Sequence, residues 1–174
     1  MNQVLCIVLI VILFALVYQD FKHRAISWVF LVLFAGGLLA KGFLETSGSK
    51  IGSFFLINGA ILVVQFTVLI VYFRMKGYRF NDFWKGVMGA GDFLFLLCTC
   101  LAFAPFNFML FLLSGLLFTL LGYGVMKLVK AGQDRPIPFA GFLAGFLILF
   151  LFAGNVLGKW NGYDNELVFK LFRP

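Results

Sequence analysis

The chain has 174 residues, of which 63% are hydrophobic and 12% charged, and its net charge is +7. An ordinary soluble protein is about 45–50% apolar and about 25% charged, and a soluble fold of this size has too little interior to bury so many apolar side chains. The composition therefore excludes a water-soluble globular protein and predicts a single domain, residues 1–174, embedded in a lipid bilayer.

Six apolar runs follow one another along the chain, at residues 2–19, 26–44, 53–73, 92–105, 106–129 and 138–158. Most approach the roughly 20 residues that a helix needs to cross a bilayer, and the fourth run is the shortest. The runs are unbroken rather than alternating, which favours helices over a membrane β-barrel. We therefore expect an all-α membrane protein, a polytopic bundle of about six transmembrane helices.

The polar segments between these runs predict loops at residues 20–25, 41–52, 74–91, 105–107 and 130–137, with a tail from residue 159. The first, third and fifth loops and their flanks carry nine Lys and Arg residues, and the other side carries five. The positive-inside rule then places the nine in the cytoplasm and both termini outside. The basic charge is explained by topology, and no nucleic-acid partner is expected. Aromatic residues near the predicted helix ends mark the membrane interfaces: Tyr18, Trp28, Tyr78, Trp84, Tyr123, Trp160 and Tyr163.

Metal-ligating residues are sparse. The three cysteines lie within apolar runs, and His23 is the only histidine. Neither type shows the spacing of a metal site, so we expect no metal and no cofactor. The spacing of Gly141 and Gly145 on the last helix predicts close helix packing.

Two aspartates stand apart from the other acidic residues, because Asp20 and Asp92 each adjoin an apolar helix. An ionisable group at membrane depth is costly and is a candidate functional residue; the plainer interpretation is an interfacial charge in contact with water. Asp20 ends the first run, which crosses from the outside to the cytoplasm, and Asp92 begins the fourth run, which crosses from the cytoplasm to the outside. Both therefore belong on the cytoplasmic side and are expected to share one site.

Paired carboxylates suit hydrolysis of a peptide bond, because one takes a proton from water while the other donates a proton. A helix C-terminus disfavours a negative charge and a helix N-terminus favours it. We therefore predict that Asp92 is the ionised base and Asp20 the protonated acid, although the cations Lys22 and Arg24 act in the opposite direction.

Asp92 completes the string Gly89-Ala90-Gly91-Asp92. Glycines in this arrangement let the backbone take positive φ angles and approach a neighbouring element closely. The aspartate that follows them is expected to cap the start of the helix.

This string resembles the GxGD motif of the type IV prepilin peptidases, aspartic peptidases of the bacterial inner membrane. The segment from Asp20 to Ile26 is similar to the surroundings of the first aspartate in that family, and the segment from Arg135 to Phe142 is similar to its late proline-phenylalanine segment. The three motifs occur in the order of the family and span residues 20–142.

The resemblance implies a multi-pass enzyme of the bacterial cytoplasmic membrane that removes the basic leader of prepilin-like proteins on the cytoplasmic side. Asp20 and Asp92 would be its catalytic pair, supported by Gly89 and Gly91. Its partners would be prepilin-like substrates and the lipid bilayer. The N-terminal cytoplasmic insert of larger members is missing, so no methyltransferase activity is expected.

The chain departs from the family pattern at Ser27 and Trp28, where Pro-Asn is common, and at Leu94, where a lysine is common. These departures bear on substrate choice.

The other hypotheses are a transporter or secretion-apparatus subunit that uses the two aspartates as a proton or cation path, a GxGD protease of the presenilin type, and an inactive peptidase. The loop at residues 74–91, with Tyr78, Phe80, Phe83 and Trp84, is expected to lie on the membrane surface and is a candidate gate to the site.

Overall fold

The computed structural model describes residues 2–77, 89–129, 138–157 and 162–163. Their regular structure is entirely helical: α1 (Asn2–His23), α2 (Trp28–Glu45), α3 (Gly48–Met75), α4 (Ala90–Thr99), α5 (Pro105–Val129) and α6 (Phe139–Leu157). The predicted all-α membrane bundle is confirmed. The predictions for Tyr78, Phe80, Phe83, Trp84, Trp160 and Arg135 lie outside the described residues.

Helices α1, α2, α3 and α5 are long and apolar enough to cross a membrane. Helix α4 has only ten residues, a length of about 15 Å, which is about half the thickness of a bilayer core. Large apolar side chains cover much of the outer surface and are more than half exposed, which suits contact with lipid. They include Val11, Phe14, Val32, Val64, Leu117, Leu120 and Leu121.

Three predicted loop boundaries are wrong. Helix α1 continues through Asp20 to His23, so the first loop begins later than predicted. The predicted loop at residues 41–52 shrinks to Thr46 and Ser47, because polar turns extend α2 and α3 beyond their apolar runs. An ion pair of 2.8 Å between Lys41 and Glu45 supports the last turn of α2.

The third wrong boundary is the turn expected at residues 105–107. The chain instead turns at residues 100–104, and Pro105 begins α5. Proline suits the first position of a helix, because the N–H it lacks has no partner within the helix.

The helices pack around one apolar core. Helix α1 packs against α2 and α6, and α4 lies against the same two helices. Phe66 of α3 also meets Phe93 of α4 edge to face, at 5.1 Å between ring centroids. The fully buried side chains of the core are Leu9, Leu13, Leu16, Phe34, Leu38, Phe95, Phe108, Phe111, Leu143 and Leu147.

The C-terminal end of α4 lies inside the bundle, where water cannot satisfy its carbonyl groups. The side-chain amide of Asn58, on α3, donates to the carbonyl oxygens of Cys100 and Phe103, at 2.9 Å in both cases. The phenol of Tyr163 donates to the carbonyl oxygen of Leu101, also at 2.9 Å. These bonds allow a half-length helix to end at this depth.

Candidate active site

Asp20 and Asp92 meet at the first turn of α6. The backbone N–H of Gly141 donates to Asp20 Oδ2 at 2.6 Å, and the N–H of Ala140 donates to Asp92 Oδ1 at 3.0 Å. Adjacent backbone nitrogens are about 3 Å apart, so these two carboxylate oxygens are separated by at most about 9 Å. The two side chains also interact electrostatically. The structure therefore brings together the two aspartates that the sequence places on one side of the membrane.

The first turn of α6 suits this role for a general reason. The first N–H groups of any helix have no carbonyl partner within the helix, and the N-terminus carries a partial positive charge. In α6, two successive N–H groups of this kind each bind a carboxylate from a different helix. The backbone of Ala140 and Gly141 thereby fixes the position of one aspartate relative to the other.

Asp92 occupies the third position of α4 rather than the cap position, and from there its side chain caps the start of the helix as half of a capping box. The helix begins at Ala90, and Gly89 is the residue in the cap position. Asp92 Oδ2 accepts a hydrogen bond of 3.2 Å from the N–H of Gly89. Both oxygens of Asp92 thus accept backbone N–H groups, whereas among the described residues one backbone N–H, that of Gly141, donates to the Asp20 carboxylate. More donors favour the ionised carboxylate, which is consistent with Asp92 as the base.

Neither motif glycine uses the positive φ angles that glycine permits. Gly89 has a φ of −73°, and Gly91 lies within α4. The close approach occurs at Gly91, because a Cβ atom there would lie 3.3 Å from Cβ of Ile26, in the connection between α1 and α2. Among the described residues, a Cβ atom at Gly89 would meet only the Asp92 carboxylate, with Oδ2 at an ordinary 3.4 Å.

Asp20 is 6% exposed, which is unusual for an aspartate within a largely apolar bundle. Next to it, the rings of Phe21 and Phe142 pack edge to face at 5.1 Å between centroids. The N–H of Arg24 donates to the backbone carbonyl of Asp20 at 3.1 Å and closes the end of α1. Arg24 has a φ of +53°, the left-handed conformation common where helices end.

The connection from α1 to α2 is held by a side chain that the sequence did not indicate. Gln19 Oε1 accepts a hydrogen bond of 3.1 Å from the N–H of Ser27. Of the positions that depart from the family pattern, Trp28 is 72% exposed and Leu94 is 43% exposed, so both side chains face the surroundings of the bundle.

The site also depends on Gly141, which the sequence indicated as a helix-packing residue and as part of the late proline-phenylalanine segment, but not as a neighbour of Asp20. A Cβ atom at Gly141 would lie 2.9 Å from Asp20 Oδ2 and 2.9 Å from the ring of Phe21. A Cβ atom at Gly145 would meet nothing within 4 Å, so the packing interpretation of this pair is wrong for Gly145 in the described part of the chain. The spacing of the glycines carried no signal that distinguished these two positions.

Helices α3 and α5 continue past the two carboxylates at their C-terminal ends. The ring of Phe66 packs against that of Phe93, the neighbour of Asp92, and α3 continues for nine residues beyond Phe66 to Met75, about 13 Å. Gly122 lies against the ring of Phe142, the neighbour of Gly141, and α5 continues for seven residues beyond Gly122 to Val129, about 10 Å. The site is therefore recessed from the ends of these two helices.

Apolar side chains form the floor of the site. One helical turn deeper than the carboxylates lie Leu16, Leu96 and Ala144, each at most 5% exposed and all part of one hydrophobic cluster. No group of three His, Cys, Asp or Glu residues that could hold a metal ion occurs within the described ranges. The described part of the site thus consists of two carboxylates above an apolar floor.

No protein-family profile, curated protein or solved structure matches this chain.

Proposed function

We propose that the protein is a membrane aspartic endopeptidase that removes the basic leader of prepilin-like proteins on the cytoplasmic side of a bacterial inner membrane. The observation that carries the proposal is the convergence of Asp20 and Asp92, which are distant in sequence, on the adjacent N–H groups of Gly141 and Ala140. The resemblance of the three sequence motifs supplies the substrate class.

The proposed reaction adds one water molecule across a peptide bond. The ionised Asp92 takes a proton from a water held between the carboxylates, and the hydroxide forms a bond to the carbonyl carbon. The protonated Asp20 donates its proton, which leaves with the amine when the C–N bond breaks. Two close carboxylates that share one proton are suited to both transfers, since like charges at short range disfavour double ionisation.

The apolar floor favours a hydrolase over a proton or cation path. A path through the bundle needs polar groups or water beyond the aspartates, because ions cross hydrocarbon only at high cost. On α1, α4 and α6, the helices that carry or hold the aspartates, the next turn places Leu16, Leu96 and Ala144 beneath the pair, and these side chains offer no ligand or proton carrier. Two carboxylates at one end of a closed core suit a reaction at that end.

The test uses the purified protein in lipid nanodiscs with synthetic prepilin-like peptides, and mass spectrometry to detect a shortened product. Asp20→Asn and Asp92→Asn should each abolish cleavage, because either change removes a titratable carboxyl. Asparagine keeps an oxygen that accepts the N–H of Gly141 or Ala140, so both variants should fold.

The matched control is Glu45→Gln, which removes an acidic group at the other end of the bundle and should leave cleavage unchanged. Cleavage that persists in both aspartate variants, or a wild-type protein that cuts none of the peptides, would overturn the proposal. A proton flux into vesicles that requires both aspartates would support the transport hypothesis instead.

A further inference from the structure

Gly141 lies where α6 comes closest to the aspartate of α1. The Asp20 carboxylate and the Phe21 ring both lie within 2.9 Å of the place that a Cβ atom would occupy. Real Cβ atoms essentially never approach other heavy atoms this closely, so a side chain of any size at Gly141 requires a displacement. The hydrogen bond of 2.6 Å from the Gly141 N–H to Asp20 depends on the same close approach.

We propose that Gly141 is a positioning residue of the aspartate pair. Its missing side chain lets Asp20 lie against the first turn of α6, and its N–H holds Asp20 one residue away from the N–H that holds Asp92. This inference rests on the proposed peptidase function for its kinetic consequences, but the geometry concerns the two carboxylates alone.

The three glycines around the site should differ in importance, and the order follows from their contacts. A Cβ atom at Gly141 requires a shift of the Asp20 carboxylate, and a Cβ atom at Gly91 requires Ile26 to move by a few tenths of an ångström. Within the part of the chain that the structure describes, a Cβ atom at Gly89 makes only an ordinary contact with Asp92. Gly141 should therefore tolerate alanine least and Gly89 should tolerate it best, although Gly89 belongs to the GxGD motif and Gly141 does not.

The experiment compares Gly141→Ala with Gly145→Ala, one turn further along the same helix. Alanine favours a helix more than glycine does at both positions, so a loss confined to Gly141→Ala does not arise from the helix itself. Displacing a reacting group by about 1 Å typically costs about 100-fold in rate, so kcat should fall by about that factor in Gly141→Ala, with KM nearly unchanged. Gly145→Ala should behave as the wild type.

A second measurement follows the carboxylates directly. The chain has five aspartates, so a background with Asp82, Asp134 and Asp164 changed to Asn leaves the pair as the only aspartate carboxyls. With ¹³C-labelled aspartate in this background, infrared spectroscopy records how the pair titrates. Gly141→Ala should change this titration, because it separates the carboxylates and weakens an N–H bond to one of them, whereas Gly145→Ala should not.

A further variant identifies the atom that is displaced. Changing Phe21 to Ala in the Gly141→Ala protein relieves the contact with the ring but leaves the contact with the Asp20 carboxylate. Activity and titration should remain altered in this double variant. Full recovery would show that the ring alone is displaced and would overturn the proposed role of Gly141.

The two measurements separate the two proposals. If Gly141→Ala changes neither kcat nor the carboxyl titration, Gly141 is not a positioning residue, whatever the reaction. If the wild-type protein cleaves no peptide but Gly141→Ala still alters the titration relative to Gly145→Ala, the positioning role stands and the peptidase function fails.

Discussion

Asn58 gives the sharpest test of how α4 is held within the bundle. Its side chain is fully buried, and its amide donates to two carbonyl groups, of Cys100 and Phe103, where the short helix ends. Leucine has a similar size and no donor. Asn58→Leu therefore removes both hydrogen bonds with little change in packing volume.

The magnitude follows from the two bonds. Hydrogen bonds between helices in membrane proteins contribute about 0.6 kcal/mol on average and up to about 1.7 kcal/mol each. Losing two of them should lower the free energy of unfolding by about 1 to 3 kcal/mol. Circular dichroism of the protein in mixed micelles titrated with sodium dodecyl sulfate measures this quantity.

The control is Thr67→Val on the same helix. The hydroxyl of Thr67 donates at 2.7 Å to the carbonyl of Val63 within α3, and the side chain is exposed. Its removal leaves no carbonyl unpaired, because the helix already bonds that group, so the cost should be small. A loss in Asn58→Leu no larger than that in Thr67→Val would refute the claim that Asn58 supports the end of α4.

Two further predictions concern stability in the same unfolding assay. Burial, and secondarily the charge of Glu45, raises the pKa of Tyr163 above its ordinary value. The unfolded phenol therefore loses its proton at about pH 10 while the folded one keeps it, so stability should fall as the pH rises above about 10, and Tyr163→Phe should make this fall less steep. In α5, a Cβ atom at Gly122 would lie 2.5 Å from the ring of Phe142, so Gly122→Ala should cost about 1–3 kcal/mol by overpacking. A Cβ atom at Gly124 would meet no described residue within 4 Å, so Gly124→Ala is the matched control; equal stability of the two variants would contradict the packing argument.

The sequence was sufficient to predict the class of fold and the meeting of the two aspartates. Long apolar runs require helices in a bilayer, and the alternation of chain direction places Asp20 and Asp92 at the same end. An acidic residue beside an apolar run is conspicuous because every neighbour is apolar. These inferences need only composition, order and direction along the chain.

The sequence could not predict which groups hold the aspartates. Ala140 and Gly141 act through backbone N–H groups, which every residue except proline possesses. The role of Asn58 was hidden for a different reason, because one polar residue in an apolar run does not indicate which carbonyl group it will meet. Both contacts arise from tertiary packing, and their partners are 42 to 121 residues away in sequence.

The short fourth helix connects these two kinds of contact. Beyond one end of α4, Asn58 donates to carbonyl groups of the turn that follows the helix, at Cys100 and Phe103, and at the other end Asp92 binds the first turn of α6. A helix of about 15 Å transmits a displacement of one end to the other because its backbone hydrogen bonds resist compression. Asn58→Leu should therefore slow peptide cleavage as well as weaken the fold. Gly122→Ala acts elsewhere, on the ring of Phe142, which packs against Phe21 beside Asp20. If slow cleavage in Asn58→Leu followed only from loss of folded protein, the rate per folded molecule would equal that of the wild type, and α4 would not couple the two ends.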